Sequence, residues 1–587
     1  PVSGKKLENN AGSGVRRRCA VENAREGATS SFKIEPIDIF AYNGVICGSK
    51  MPVINIELKD LNRMLKSPIS SADFSKIIPE IGADPDEIGE KEAIVEFFPD
   101  RPDLLSTEGV ARAVRAFTEQ ELGLVEYQTK PATTHMVVSP DVLPVRPCVL
   151  GGIVRGIELD DTAIKCLMEL QEKLHVTLGR KRKKVSIGIH DLAKLEAPFN
   201  YGTCSPHEPA FVPLQKDYEM TPEEILNEHP KGIEYAHLLE KFDKYPIITD
   251  ANGEVASLPP VINGALTTIT EQTKEALIDV TGLELEAVEA CLNIVAAALV
   301  ERGGEIEQLE IRYPSEKMVV PKMEPKVHKI KNDYLVDLLG FDPGNFAIFK
   351  AFRKCAMEPD LKEDIWHVKV PAYRADILHP VDLLEEVAIG IGYEEFPEHL
   401  PQEARFGEAL SSRDLESECR ETMLGVGFQE VVTLTLTSTK MLHESTGREN
   451  ENEATVSNPV TENYHMLRSS ILPSLLEILK SNRHRELPQK VFEVGQVVKE
   501  HTNRMSLAWI ELASKGTFSK ARATAESIAH RLCISGETIE GNDPIFISGR
   551  CAEIKSEEIT MTYGEIQPET LQKLELGYPA IGGEIHW

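Results

Sequence analysis

Four acids, Asp376, Asp382, Glu385 and Glu386, fall within eleven residues of the stretch "VPAYRADILHPVDLLEEVAIGIGY", and Arg374 is the cation beside them. Carboxylates at this density suit a hard divalent cation held by oxygens, and Mg²⁺ is the candidate. Pro380 predicts a helix start, because its ring presets the helical φ and its missing N–H is not needed in the first turn. That helix puts Asp382, Glu385 and Glu386 at i, i+3 and i+4 on one face. Leu383, Leu384, Val387, Ala388 and Ile391 fall on the opposite, core-facing side. Like charges at this spacing repel by roughly 0.2–0.5 kcal/mol per pair. A plainer reading is that acids in a first turn complement the helix dipole. That accounts for Asp382 better than for the whole set, and both readings stand at this point.

A second group has the opposite charge. Arg180, Lys181, Arg182, Lys183 and Lys184 are five consecutive cations, running into an alternating stretch, Val185 to Ile189, that reads as a strand. Such a run neutralises phosphates and positions a nucleic acid without reading its bases. The alternative is a solvated basic loop. The setting is acidic, with a net charge of −30 over 587 residues, so any nucleic-acid contact is local and not a general coat.

The elements that must position these groups follow from length and pattern. The length allows roughly three to five domains. An apolar fraction of 41% is ordinary for globular chains. No apolar run approaches the ~20 residues of a bilayer span. The ten cysteines lie singly from Cys19 to Cys551 without a CxxC pair, which predicts reduced thiols, a cytosolic setting and no zinc site.

Residues 1–50 carry little periodicity and more basic than acidic residues, and read as a poorly packed extension, with Met51 the expected functional start. A strand and a helix follow in "MPVINIELKDLNRMLK". Ser106 and Thr107 are placed to cap a helix running to about Phe117. In "ALIDVTGLELEAVEACLNIVAAALVERGG" an apolar strand gives way at Thr281-Gly282 to an amphipathic helix ending at Gly303-Gly304. "KVFEVGQVV" and "IKSEEITMTYGEI" predict an antiparallel sheet with helices. Arg468, opening an apolar helix, reads as a structural ion pair ahead of a phosphate clamp. The expected division is 51–125 as an N-terminal module, 126–312 as a mixed α/β domain, 318–398 as a small module with the acids, and 405–587 as the sheet domain. There is no P-loop, GxGxxG or Ser/His/Asp signature.

Eight motifs occur in one order: "DRPDLLSTEGVARAV", "RKKVSIGIHDL", "PPVING", "LIDVTG", "CLNIVAAALVERGG", "PAYRADILHPVDLLEEVAIGIGY", "SNPVTENYHMLRSSILPSLL" and "VFEVGQVV". Together they resemble the β subunit family of phenylalanine–tRNA ligase in its archaeal and eukaryotic cytosolic form, over about residues 51–587. No single motif is decisive; the ordered set is specific. There are departures. Asp100 stands where the family usually has Asn, Ile391 where it has Tyr, and Gly264 where archaeal relatives often have Ser. Residues 1–50 have no family counterpart. The anticodon-binding C-terminal domain of bacterial β subunits is also missing before Trp587.

The resemblance implies a multidomain α+β fold: a small N-terminal α/β module, an editing domain at 126–312, a winged-helix-like module at 318–398, and a degenerate class II synthetase-like domain at 405–587 that packs on an α subunit. It implies that α binds ATP and performs aminoacylation of tRNA(Phe), in an (αβ)₂ heterotetramer, while this chain hydrolyses mischarged Tyr-tRNA(Phe). It implies that Asp376, Asp382, Glu385 and Glu386 are Mg²⁺ ligands. For editing, Asp279 and Thr281, two apart on one strand, share a face. They are expected to recognise the misplaced amino acid. Asn263 and Gly264, in a Pro-Pro-bounded turn, would orient the ester or its water. Arg180, Lys181, Arg182, Lys183 and Lys184 would hold the tRNA acceptor end. His190 is either an assisting group or a satisfied structural histidine. Two other classes stand beside this one: an architectural tRNA-binding subunit without active editing, and a free-standing hydrolase or RNA-binding protein.

Overall fold

The computed structural model describes residues 52–400, 406–449, 453–556 and 559–587. The extension at 1–50 and the proposed start at Met51 lie outside them. The chain divides into two compact units between His399 and Leu400.

The first unit begins with a three-stranded antiparallel sheet ordered Val53–Glu57, Glu92–Phe97, Ala83–Ile88. Alternation buries Ile54 and Ile56 and turns their neighbours outward. The helix Thr107–Phe117 starts where its hydroxyl cap predicts: Ser106 Oγ accepts from the Gly109 N–H at 3.2 Å.

An eleven-stranded mixed sheet follows. Its main path runs Ile262–Asn263, Val255–Leu258, Tyr245–Thr249, Phe199–Cys204, His135–Val138, Glu305–Arg312, Cys148–Arg155, Glu275–Gly282, Val185–Asp191. The last three strands carry the site. Glu275–Gly282 is central among them and pairs antiparallel with both neighbours, setting Asp279 opposite Gly188 on one side and Gly151 on the other. The helix Leu285–Glu301 packs on this sheet. Its sequence reads as amphipathic, yet Cys291 to Leu299 are all buried. The sheet covers one side, and the helices Thr107–Phe117 and Asp161–Val176 cover others. For the same reason Val185–Asp191 is buried along its whole length and not on alternate residues.

A smaller set of elements closes this unit: the sheet Lys326–Lys331, Ile365–Val370, Glu358–Lys362 and the helices Asn332–Leu339, Asn345–Lys354 and Pro380–Ile391. Phe352, Trp366, Leu383 and Val387 form its core. The helix begins at Pro380 as its ring geometry predicts.

The second unit holds a seven-stranded sheet ordered Gln429–Glu430, Gln489–Lys499, Thr502–Leu512, Ala580–His586, Thr560–Ile566, Phe546–Lys555, Glu537–Glu540. Every pair is antiparallel except the first. Along Thr502–Leu512, alternation sends Ala508, Ile510 and Leu512 into the core built with the helix Leu472–Ser481. Leu507 and Trp509 enter a second core, with the helices Ser411–Gly425 and Phe518–Arg531. Arg468 is an internal tie: its guanidinium meets Glu493 at 2.8 Å and donates to Thr433 Oγ1 and the Gln496 carbonyl.

Candidate active site

A cavity of about 190 Å³ opens in the first unit between the strand Val185–Asp191, the helix Asp161–Val176 and the turns around Pro259–Gly264. Drug-sized sites occupy roughly 300–1,000 Å³, so this one takes a small group. Its lining is mainly apolar, with a few polar side chains set into it. Asn263, Gly264 and Asp279, three of the four residues picked from sequence, line it.

Thr281, the fourth, does not. Its side chain shares a face with Asp279, as strand periodicity predicts, but is fully buried beneath Arg146. The Arg146 guanidinium donates to Thr281 Oγ1 at 2.9 Å, to the Thr281 carbonyl at 2.8 Å, and to the carbonyls of Arg182 and Lys183. Burial holds the Arg146 pKa down to about 10, against the pull of Tyr201 and Asp279. Nothing in "VLPVRPCVLGG" beyond a lone cation before an apolar strand points to this role.

Asp279 Oδ2 is 2.6 Å from His190 Nε2, and His190 Nδ1 is 2.8 Å from Thr267 Oγ1. His190 is thus fully hydrogen-bonded and fully buried. Ser257 Oγ, at the cavity wall, is buried without a hydrogen-bond partner among the described residues.

The five-cation run separates into three parts. Arg180, Lys181 and Lys183 are exposed. Arg182 turns inward: it pairs with Glu172, donates to the Val261 carbonyl at 2.7 Å, and stacks over Tyr235 at 4.7 Å. Burial pushes the Glu172 carboxyl up, but the His175 hydrogen bond and Arg182 outweigh it and hold the pKa at about 2. Lys184 pairs with Glu284 at 2.7 Å. The turn needs left-handed backbone at three consecutive non-glycine residues, with φ of 47°, 54° and 63° at Arg180, Lys181 and Arg182. Bonds from Arg146 and the buried Arg182 hold it in that shape.

The acidic stretch has partners of its own. Arg374 is buried and bridges Asp376 and Glu386, each with a closest approach of 2.6 Å. Its pKa lies well above the usual value: burial opposes the charge, but the two carboxylates outweigh burial. Asp382 accepts from the backbone N–H groups of Leu378 and His379 at 2.7 and 2.6 Å, closing the helix start. Among the described residues the Glu385 carboxylate has no hydrogen-bond or ion-pair partner. Its pKa is raised by burial and then by Glu386, Asp100, Asp382 and Asp376. Three of the four acids expected to hold Mg²⁺, Asp376, Asp382 and Glu386, are thus engaged by protein donors. Among the described residues no three His, Cys, Asp or Glu side chains are arranged to hold a metal ion. No helix of the described residues is long and apolar enough to cross a membrane.

Three family models match the chain. The B3/4 domain covers residues 158–312, the tRNA synthetase B5 domain covers 328–393, and the phenylalanyl tRNA synthetase beta chain CLM domain covers 396–587. These define a subunit of an aminoacyl-tRNA synthetase. Curated phenylalanine–tRNA ligase beta subunits are similar across their whole length. That of Methanosarcina acetivorans is 41% identical over 539 residues, 91% of this chain and 98% of the relative. That of Methanococcoides burtonii is 42% identical over 545 residues, 91% of this chain and 99% of the relative. An N-terminal fragment of the phenylalanyl-tRNA synthetase beta subunit from Pyrococcus horikoshii matches with a TM-score of 0.56 and 34% identity, covering 58% of this chain and 99% of the fragment. The chain belongs to the phenylalanine–tRNA ligase beta subunit family.

Proposed function

We propose that this chain supports attachment of phenylalanine to tRNA(Phe) by an α subunit, and that its cavity hydrolyses Tyr-tRNA(Phe). The carrying observation is the small cavity that joins Asp279 to the Asn263-Gly264 turn. Tyrosine differs from phenylalanine by one hydroxyl. An apolar pocket that accepts phenylalanine rejects such an analogue only about 10²-fold. A second site that hydrogen-bonds the hydroxyl discriminates by roughly 10⁴–10⁵, because phenylalanine leaves its polar groups unpaired. Ser257 Oγ, buried and unpartnered, is available for that bond.

In the reaction, water attacks the ester carbonyl carbon. The new C–O bond replaces the bond to the tRNA hydroxyl, which leaves with a proton. Asp279 takes the amino-acid part, and Asn263 and Gly264 orient the ester or its water. Thr281 acts through Arg146, which holds the basic turn. Arg180, Lys181 and Lys183 take phosphates of the acceptor end, and Lys184 adds to them when it releases Glu284. Arg182 supports the turn from inside.

ATP is the substrate of the α subunit in a cytoplasmic (αβ)₂ complex. The editing domain spans 126–312, the winged-helix-like module 318–398, and the degenerate class II domain 405–587. The Mg²⁺ expected at the four acids has Glu385 as its one unengaged ligand, so no step is derived through it.

The test is deacylation of preformed Tyr-tRNA(Phe) by the αβ complex. Asp279→Ala slows it or relaxes its choice of amino acid, while phenylalanylation persists. Unchanged hydrolysis and selectivity would remove Asp279 from the site, and absence of hydrolysis in the parent complex would leave the architectural tRNA-binding reading.

A further inference from the structure

We infer that His190 is a positioning residue for the deacylation site, acting through Asp279 and Thr267; this rests on the editing reading of the cavity. Asp279 and Thr267 line the cavity, and His190 does not. His190 nevertheless binds both, at 2.6 Å through Nε2 and 2.8 Å through Nδ1. Thr267 Oγ1 in turn lies 3.3 Å from the Gly264 carbonyl. One buried ring therefore ties the carboxylate on the central strand to the turn that carries Asn263 and Gly264.

The sheet register builds this contact. His190 stands opposite Leu277, and Gly188 stands opposite Asp279, so the imidazole reaches the carboxylate diagonally across the strand pair. Gly188 clears the path. A Cβ there would lie 2.0 Å from Asp279 Oδ2 and 2.7 Å from His190 Nε2. Asp279 on one strand and Gly188 and His190 on its neighbour are thus fitted to one another.

The consequence is orientation. His190 engages Oδ2 of Asp279, and among the described residues Oδ1 has no hydrogen-bond partner. A carboxylate fixed through one oxygen presents the other in a single direction. Binding and attack geometry of this kind is sensitive, and about 1 Å of misplacement costs up to about 10² in rate. The preorganised group needs no rearrangement as the ester reacts.

The experiment uses the αβ complex and preformed Tyr-tRNA(Phe), with His190→Leu, His190→Gln and Asp279→Ala compared for kcat and KM of deacylation, for phenylalanylation, and for melting temperature. Leucine fills the space without hydrogen bonds. Glutamine restores a donor to Asp279. The expected result is a fall in deacylation kcat of about 10- to 10²-fold in His190→Leu. KM and phenylalanylation stay within about twofold, and most of kcat returns in His190→Gln. Equal losses in the leucine and glutamine variants, or a loss that follows the melting temperature and phenylalanylation alike, would overturn positioning. If Asp279→Ala abolishes deacylation and His190→Leu leaves it intact, positioning alone fails. If Asp279→Ala leaves hydrolysis intact, the assignment of editing to this cavity fails, and positioning with it.

Discussion

The Arg146 guanidinium brackets Thr281, donating to its Oγ1 at 2.9 Å and to its carbonyl at 2.8 Å. The same side chain reaches the carbonyls of Arg182 and Lys183, so the strand beside the cavity and the basic turn share one anchor. Thr281→Val removes the acceptor and leaves a buried N–H unpaired, a cost of about 1–3 kcal/mol. Thr281→Ser keeps the acceptor and stays near the parent. Chemical denaturation of the purified complex measures both. Equal stability of the valine and parent proteins would show that Arg146 finds another acceptor.

Four of the five basic residues, Arg180 to Lys183, divide into two kinds. Reversing Arg180, Lys181 and Lys183 to Glu weakens tRNA binding and lowers the slope of log affinity against log salt by roughly 0.7–0.9 for each phosphate no longer neutralised. Stability changes little, because all three are exposed. Arg182→Ala does the reverse: it leaves Glu172 without its guanidinium partner and loosens the turn. Salt-dependent binding of tRNA and thermal melting of the four single variants separate the two kinds. A salt slope unchanged in the triple variant would mean the turn does not meet phosphates.

Arg374 balances two buried carboxylates. Arg374→Leu removes the hydrogen-bonded cation of Asp376 and Glu386, leaving Glu386 with Arg101 at 3.8 Å, and breaking a buried pair from one side costs about 3–5 kcal/mol. Adding Glu386→Gln to that variant recovers part of the loss, since one uncompensated charge is gone. Denaturation midpoints of the two variants decide this, and no recovery would mean the loss is packing and not charge.

Glu385 titrates in the opposite sense from a salt-bridged acid. Its pKa is raised in the folded chain by burial and by the surrounding acids. The folded state therefore binds the proton more tightly than the unfolded one. The benefit is complete below the ordinary carboxylate range, and it is lost as pH rises through the raised value. At neutral pH the ionised group opposes folding. Glu385→Gln should raise stability near pH 7, by roughly 0.2–0.5 kcal/mol per relieved like-charge helix pair, read as a higher melting temperature. The gain should vanish at low pH. Magnesium titration of the parent and variant adds a second readout: stabilisation of the parent alone would mark Glu385 as a ligand.

The partner dependence is direct to check. This chain alone should form no Phe-tRNA from ATP, phenylalanine and tRNA, and added α subunit should restore synthesis. Aminoacylation by the purified chain alone would end the division of labour proposed for the two subunits.

Local rules were enough for much of this molecule. The helix starts at Ser106 and at Pro380, and the strand carrying Asp279 and Thr281, follow from capping, ring geometry and a short apolar run. Those rules depend on residues a few positions apart, so the sequence states them. The ordered motifs carried the family for the same reason: they are read along the chain.

What the side chains do was decided in three dimensions. His190 meets Asp279 across 89 residues, and Arg146 meets Thr281 across 135. Neither pairing has a local signal, because each follows from which strands are neighbours and in which register. Arg182 looks like its four basic neighbours in sequence, but a left-handed turn directs it to Glu172 and the Val261 carbonyl. The acids at 376–386 are dense enough to suggest a metal. Folding brings Arg374 within 2.6 Å of both Asp376 and Glu386, and the helix start takes Asp382. Charge density is written along the chain; which opposite charge answers it depends on the packing that buries them together.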